Sequence, residues 1–321
     1  IILHITPSLM IGGAEKLLVD LLTSFQQHPK NQFEHRVIYL QSGPLLAQIQ
    51  KLKIQTYHVQ GLVSHYDPIC FWRLLKLIKK MQPAVLHAML WTANFYSRLI
   101  GKILKIPTIC AIHSYYNSGN TTHDHWLKSL LDRQTLHWAH KIVVVSPEIQ
   151  LKLIQSIPQL IPNQLITIQN GVFLPQNNPK KTLRRTWIIG HVGRLVPVKN
   201  QQLLLSALSI IQSKIPHFKA IIIGHGPLEL ALKNQARQLN LLPFIDFIKT
   251  PQAAKYYQTF DCFILPSHQE GQSIALLEAM SWRVTPIVTS TDYKHDLVKH
   301  QHNGLICPPN DASSLAQAII S

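Results

Sequence analysis

Residues 187–199 read WIIGHVGRLVPVK, and this stretch decides the fold class. An apolar run over 187–192 ends at a glycine, a basic loop follows, and a helical pattern begins near Lys199. This order is typical of a buried parallel strand that leads through a loop into a helix. Open α/β sheets bind ligands beyond the carboxyl ends of their strands. Gly193, Arg194 and Lys199 are therefore predicted to face a ligand.

The same alternation of short apolar runs and helical patterns extends along the whole chain. It predicts βαβ units and an α/β fold with parallel sheets. The 321 residues are enough for two domains. We expect an N-terminal domain over 1–171, a linker over 172–186 rich in Pro, Asn and basic residues, and a C-terminal domain over 187–321, with both chain ends truncated. The ten runs predicted as strands are 3–5, 36–40, 84–87, 108–112, 142–145, 187–192, 220–223, 244–248, 262–265 and 286–288.

Composition narrows the functional classes. The chain has no uninterrupted apolar stretch long enough to span a bilayer. Its four cysteines are far apart, which argues against a disulfide framework or a zinc site and favours a reducing, cytoplasmic compartment. The net charge of +16 attracts phosphates, whether of nucleotides, nucleic acid or lipids. Since no zinc-finger spacing or aromatic RNA-binding signature is present, nucleic acid is not an expected partner.

Residues 270–278, EGQSIALLE, are predicted to form a turn followed by a helix. The backbone amides of Gly271, Gln272, Ser273 and Ile274 would then point at an anion. The carboxylates of Glu270 and Glu278 would lie up to ~12 Å apart along the helix axis. This spacing suits a ligand that has a hydroxyl-bearing group at each end and a diphosphate between them.

Two further motifs follow strands in the first half of the chain. Gly12 and Gly13 open a helix after the first strand, where glycines allow a ligand to approach the backbone and the helix N-terminus favours anions. His113 follows the predicted strand 108–112, again at a carboxyl end. Taken alone, His113 is better explained by a structural role, and Gly12 and Gly13 are as well explained by a tight turn.

In their order along the chain, these motifs resemble glycosyltransferase family 4, the retaining enzymes of the GT-B fold. The resemblance covers nearly the whole sequence. It implies two Rossmann-like domains with mostly parallel sheets, facing each other across a cleft. The chain departs from the family at Gln272 and Ser273, which replace a frequent aromatic-Gly pair. The residues that carry the resemblance are Gly12 and Gly13 with Ala14 and Glu15, His113, 168–172, Gly193 and Arg194, Lys199, 224–227, Glu270, Glu278, 303–305 and 309–311.

The resemblance implies a role for each matching residue. Arg194 and Lys199 would hold the donor diphosphate, Glu278 the ribose hydroxyls and Glu270 the transferred sugar. His113 would contact the sugar near its anomeric carbon, while Gly12 and Gly13 would close over the phosphates. The expected substrates are a nucleotide-sugar, with UDP or GDP as the nucleotide, and a glycan or lipid-linked acceptor in cell-envelope polysaccharide or lipopolysaccharide synthesis. No cofactor and no metal is expected, because protein cations take the place of the metal.

Other functions remain open at the sequence level. A nucleotide-sugar epimerase on the same fold would need the same donor site but no acceptor. A protein that only binds a nucleotide-sugar would not need the full set of His113, Arg194, Lys199, Glu270 and Glu278.

Residues 71–81, FWRLLKLIKKM, are predicted to form an amphipathic helix. Leu74, Leu75, Ile78 and Met81 would pack on the sheet. The opposite side would carry basic residues beside a tryptophan, a combination that suits the interface of an anionic membrane. An ordinary solvated helix face explains the pattern nearly as well. The predicted membrane-contact residues are Trp72, Arg73, Lys76, Lys79 and Lys80.

Overall fold

The computed structural model describes residues 1–61, 65–114, 123–175, 186–215, 217–290 and 297–321, without the side chains of 123–125 and 162. The chain divides into two compact units, Ile1–Asn170 and Gly171–Ser321. Most of the expected linker, residues 176–185, lies outside the described residues. Each unit is built on a parallel sheet of its own.

The first unit contains a seven-stranded parallel sheet with the order β3-β2-β1-β4-β5-β6-β7. Strand β1 is buried on both faces from Leu3 to Thr6, and two of the buried residues, His4 and Thr6, are polar. The strands are β1 (Ile2–Ser8), β2 (His35–Gln41), β3 (Gln55–His58), β4 (Val85–Met89), β5 (Thr108–Ile112), β6 (Lys141–Val144) and β7 (Leu165–Thr167). The described helices are α1 (Gly13–Gln27), α2 (Leu46–Lys51), α3 (Pro68–Met81), α4 (Trp91–Leu104), α5 (His123–Thr135) and α6 (Pro147–Ser156).

The second unit contains a six-stranded parallel sheet with the order β10-β9-β8-β11-β12-β13. Its strands are β8 (Trp187–Val192), β9 (Phe218–Ile223), β10 (Ile245–Ile248), β11 (Cys262–Leu265), β12 (Thr285–Thr289) and β13 (Leu305–Cys307). The described helices are α7 (Gln201–Gln212), α8 (Glu229–Gln238), α9 (Ala254–Tyr257), α10 (Ile274–Ser281) and α11 (Ala312–Ile320). The predicted α/β class with parallel sheets is confirmed in both units.

All ten predicted strands are present, but the sequence analysis missed three. These are β3, β7 and β13, and each lies at an edge of its sheet. They are three or four residues long, and β3 has its terminal residues, Gln55 and His58, exposed. A short strand with one neighbour buries too little surface to need a continuous apolar run, so its sequence carries no clear signal.

Helix α3 packs on the first sheet through the predicted face. Leu74, Leu75 and Ile78 are buried and share a hydrophobic core with Leu3 and Ile5 of β1. The five residues predicted for membrane contact are all exposed, with Trp72 58% accessible. The division of the helix into a core face and a basic face is confirmed. Within the described residues, no helix has the length and apolar character needed to cross a membrane.

A buried ion pair joins α4 to α5. Arg98 and Asp132 are 1% and 4% exposed and form a salt bridge between the guanidinium and one carboxylate oxygen. Trp91 Nε1 donates to the other carboxylate oxygen at 2.9 Å, and Arg98 Nε donates to Thr135 Oγ1 at 2.8 Å. Burial raises the pKa of Asp132, whereas the Arg98 charge and the two donors oppose the rise. The pair links the two helices through one fully partnered network.

Candidate functional site

The strand order of the second sheet changes direction beside β8. Strand β8 lies between β9 and β11. From β8 the strand order continues outward to β9, and from β11 it continues outward in the other direction to β12, so the order reverses between β8 and β11. The carboxyl ends of two such strands form the crevice where open α/β sheets bind ligands. Gly193 directly follows β8, and the turn that contains Glu270 follows β11. The two most informative sequence motifs therefore lie at the same switch point.

The loop after β8 is held against the loop after β9. Gly193 N donates to the carbonyl of Ile223 at 2.9 Å, and Leu195 N donates to that of His225 at 3.0 Å. Gly224 has a φ of +157°, and a Cβ there would overlap the carbonyl oxygen of Gly193. Only glycine allows this approach. Arg194, between the two anchored residues, is exposed at the carboxyl edge.

Lys199 and Glu270 form an ion pair across this crevice. The Lys199 ammonium contacts Glu270 Oε1, and both side chains are largely shielded from solvent. Ser267 Oγ donates to the same oxygen at 2.8 Å. Ser267 is fully buried, and its carbonyl accepts from Thr289 Oγ1 at 3.0 Å. The structure thus brings together two residues that lie 71 positions apart and for which the family resemblance implies contacts with the diphosphate and the sugar, respectively.

Helix α10 begins beside this ion pair. Ser273 caps the helix, its hydroxyl accepting from Leu276 N at 3.4 Å. Gly271, Gln272, Ser273 and Ile274 are buried and supply the first amides of the helix. The departure from the aromatic-Gly pair at 272–273 therefore leaves the helix with a capping serine, one of the preferred residues at that position.

Glu278 lies on α10, one turn beyond the first residues of the helix. Its Oε2 accepts a hydrogen bond of 2.8 Å from the hydroxyl of Tyr257, at the end of α9. Tyr257 is completely buried. Burial and the Glu278 charge raise the pKa of Tyr257 well above its usual value, so the phenol stays protonated and keeps donating. The Glu278 carboxylate is thus held by a hydrogen bond from a buried partner.

A second buried pair supports the backbone of Arg194. His191 Nδ1 donates to the carbonyl of Ile264 at 2.9 Å, which leaves Nε2 as an acceptor. The side-chain amide of Gln201 donates to that Nε2 at 3.2 Å and to the Arg194 carbonyl at 2.8 Å. Burial lowers the pKa of His191 to about 4, so the neutral ring retains this acceptor at ordinary pH.

In the first unit, Gly12 and Gly13 lie at the start of α1. Gly12 is the N-cap, and a Cβ there would overlap the Glu15 carboxylate. Glu15 Oε1 accepts from Ser8 Oγ at 2.9 Å, so the carboxylate folds back over the turn between β1 and α1. The two glycines therefore lie at the carboxyl edge of the first sheet, as predicted from the sequence.

His113 follows β5 at the same edge of the first sheet. Burial, reinforced by the neighbouring His87, lowers the pKa of His113 to about 4. Its Nε2 is buried and has no hydrogen-bond partner in the described part of the chain. A neutral imidazole has one N–H donor and one unprotonated nitrogen, so Nε2 can either donate or accept a hydrogen bond, depending on the tautomer.

Three other histidines, one each from β1, β2 and β4, form a largely buried row. His4 Nδ1 lies 2.9 Å from His87 Nδ1, and His4 Nε2 lies 2.9 Å from His35 Nδ1. Burial lowers the pKa of each of the three rings. Each hydrogen bond in the row needs one N–H donor and one unprotonated ring nitrogen. Neutral imidazole rings supply both. The sequence analysis did not single out these residues.

The predicted site residues fall into separate groups. Gly193, Arg194, Lys199, Glu270 to Ile274 and Glu278 belong to the second unit, whereas Gly12, Gly13 and His113 belong to the first. The sequence analysis missed the supporting residues Ser267, Tyr257, His191 and Gln201. Ser267 was detectable, because it lies two residues after the end of β11. Tyr257 and His191 are buried polar groups whose partners lie 10 to 73 residues away, and no local pattern marks them.

The described residues contain no group of three or more His, Cys, Asp or Glu side chains arranged to hold a metal ion. The acidic residues at the switch point are already engaged with Lys199, Ser267 and Tyr257.

Comparison with known proteins agrees with this geometry. The model of Glycosyltransferase Family 4 matches residues 11–174, and the model of Glycosyl transferases group 1 matches residues 174–321. The chain belongs to glycosyltransferase family 4, and it is a glycosyltransferase of the GT-B fold.

Individual relatives are similar over nearly the whole chain. An uncharacterized glycosyltransferase of Haemophilus influenzae is 29% identical over 96% of this chain and 86% of its own length. The UDP-Gal:alpha-D-GlcNAc-diphosphoundecaprenol alpha-1,3-galactosyltransferase of Escherichia coli is 24% identical over 99% of this chain and 87% of its own. Among solved structures, Anabaena Alr3699/HepE in complex with UDP and glucose superposes with a TM-score of 0.83, at 19% identity, over 99% of this chain and 88% of that one.

Proposed function

We propose that this enzyme transfers a hexose, with retention of anomeric configuration, from a UDP-sugar to a lipid-linked or glycan acceptor in cell-envelope polysaccharide synthesis. The observation that carries the proposal is the Lys199–Glu270 pair beside Arg194 at the switch point of the second sheet. Support for the donor comes from relatives: the E. coli galactosyltransferase uses UDP-Gal and an undecaprenol-linked acceptor, and the Anabaena structures contain UDP, glucose or UDP-glucose.

The proposed donor site lies in the second unit. Arg194, Lys199 and the first amides of α10 bind the diphosphate, since cations and a helix N-terminus both stabilise anionic oxygens. Glu278 accepts hydrogen bonds from the ribose hydroxyls, and Glu270 from hydroxyls of the transferred sugar. Domain 1–171 is proposed to bind the acceptor, with His113 contacting the sugar and Gly12 and Gly13 closing over the phosphates.

In the proposed reaction, the bond between the anomeric carbon and the β-phosphate oxygen breaks. The diphosphate leaves with the electron pair, and Arg194 and Lys199 stabilise the negative charge that develops on it. The acceptor oxygen forms the new bond on the same face of the sugar, and its proton passes to the departing β-phosphate oxygen. Because protein cations already face the leaving group, no divalent ion is required.

The donor and metal proposals are tested together. We expect UDP-sugars to raise the melting temperature more than GDP-sugars, because a specific ligand stabilises the folded state by mass action. With the preferred donor and a lipid-linked acceptor, transfer should proceed in EDTA at the rate seen with magnesium.

Three results would contradict these proposals. Loss of transfer in EDTA that magnesium or manganese restores rules out metal independence. Inverted product configuration, read by NMR, rules out retention. Conversion of the donor sugar without any acceptor identifies an epimerase instead.

We also propose that α3 docks the enzyme reversibly on the anionic cytoplasmic face of a membrane. Lys76, Lys79 and Lys80 are exposed beside Trp72, while the opposite side of α3 is buried in the core. Each basic residue close to an anionic surface contributes ~1 kcal/mol, so three lysines strengthen binding about 100-fold. A lipid-linked acceptor is then reached from the surface in which it is anchored.

Sedimentation with vesicles tests the docking proposal. Binding should require anionic lipid and weaken with salt, and changing Lys76, Lys79 and Lys80 to Gln should lower it about 100-fold. The matched control changes Lys51, Lys53 and Lys102, three exposed lysines of the same unit, to Gln and keeps the same net charge. Equal losses in the two variants, or equal binding to neutral vesicles, contradict docking through α3.

A further inference from the structure

Among the described residues, Glu278 is the only carboxylate of the proposed donor site that accepts a hydrogen bond from a fully buried tyrosine hydroxyl. Tyr257 has no exposed surface, and its hydroxyl donates to Glu278 Oε2 at 2.8 Å. The two residues lie on different helices, α9 and α10, so the bond fixes the carboxylate with respect to a second element of the unit. Nothing in the sequence or in the family match assigns a role to this tyrosine.

The tyrosine ring is itself held rigidly. Its centroid lies 5.7 Å from that of Phe260 and 6.0 Å from that of Phe263. All three belong to the core that contains Leu276 and Ala279 of α10, which flank Glu278 along the chain. A ring in close-packed surroundings keeps one orientation, so its hydroxyl points at one place.

A fixed donor matters because a glutamate has three rotatable side-chain bonds. Freezing such a side chain when a ligand binds costs conformational entropy, and a partner that orders it beforehand removes that cost from binding. A charge-assisted hydrogen bond is strong enough to select one rotamer.

We propose that Tyr257 is a positioning residue that orders the Glu278 carboxylate for the ribose hydroxyls of the donor nucleotide. The proposal rests on the ribose role proposed for Glu278. It adds a residue that touches neither nucleotide nor sugar and that acts through the carboxylate alone. Substituting Phe at 257 keeps the ring and its packing and removes only the hydroxyl.

The test compares the affinity of the full chain for UDP with its affinity for 2′,3′-dideoxy-UDP, by calorimetry. The parent should prefer UDP about 100-fold, roughly one factor of ten for each charge-assisted hydrogen bond between ribose and carboxylate. Tyr257→Phe should reduce the preference to about tenfold while leaving the affinity for the dideoxy nucleotide unchanged. Glu278→Gln should nearly abolish the preference, and adding Tyr257→Phe to it should have no further effect.

Tyr96→Phe is the matched control. Tyr96 is a buried tyrosine of the first unit, and its hydroxyl donates to the Asp67 carbonyl at 3.0 Å. This variant should keep the full preference for UDP. Equal loss of affinity for both nucleotides in Tyr257→Phe means that the hydroxyl serves only the fold, and overturns the inference.

Two other outcomes separate this inference from the proposed function. An unchanged preference in Tyr257→Phe, together with its loss in Glu278→Gln, overturns the positioning role and keeps the ribose role. A parent enzyme that binds the two nucleotides equally well overturns the ribose role of Glu278, and the positioning role with it.

Discussion

Alanine in place of Arg194 or Lys199 should lower kcat by about 10²–10³-fold, the loss typical when one preorganised stabiliser of developing charge is removed. Both residues lie at the carboxyl end of β8, where the proposed leaving diphosphate is bound. Since the charge on the diphosphate grows as the glycosidic bond breaks, the loss should appear in kcat more than in KM. Initial rates at saturating donor and acceptor measure it.

Lys219→Ala provides the control for charge and folding. Lys219 lies in the same unit and forms an exposed ion pair of 2.9 Å with Asp246, so its removal changes the net charge equally but leaves the switch point intact. This variant should retain full turnover. Circular dichroism should show all three variants folded. Near-normal kcat in Arg194→Ala and Lys199→Ala would remove both residues from the proposed mechanism.

Asp132→Ala should destabilise the first unit by about 3–5 kcal/mol, the cost of leaving a buried charge without its partner. The change strips the Arg98 guanidinium of its carboxylate and Trp91 Nε1 of its acceptor in a network with almost no solvent access. Urea unfolding followed by tryptophan fluorescence measures the loss, and Trp91 reports from within the network itself.

Two further variants separate the effect of burial on stability from the effect of charge. Glu34→Gln breaks the Arg36–Glu34 pair, in which the carboxylate is half exposed, and should cost less than about 1 kcal/mol. Replacing both Arg98 and Asp132 with apolar residues of similar volume should recover much of the stability lost in Asp132→Ala, because no unpaired charge remains. If Asp132→Ala unfolds at the parent's urea midpoint, the network contributes nothing to stability.

Much of the fold was predictable because its central strands are buried on both faces. The bounds of β5, β8 and β11 agree with the predicted runs at both ends, since a strand covered on two sides is mostly apolar. Strands β3, β7 and β13 gave no such signal. Each is only three or four residues long and pairs with one neighbour, so it offers at most a very short apolar run.

The candidate site was predictable only in part. Gly193, Arg194, Lys199 and Glu270 were found because they follow strands, and a strand's carboxyl end can be located from the sequence. The hydrogen bonds that hold the site in place could not be predicted from the sequence. Tyr257 and Glu278 are 21 residues apart on different helices, and His191 meets the Ile264 carbonyl 73 residues away. Such contacts depend on how strands are ordered in the sheet, which one sequence does not specify.

The Lys199–Glu270 contact has a consequence for the reaction cycle under the proposed function. The Glu270 carboxylate acts as the counter-ion of Lys199. When a diphosphate arrives, it replaces the carboxylate as the anion beside Lys199, while Glu270 turns to the sugar hydroxyls and keeps its hydrogen bond from Ser267. When the diphosphate departs, the carboxylate returns. The partly buried ammonium is thus never left without an anion, and product release avoids the penalty of exposing a lone charge in a poorly solvated crevice.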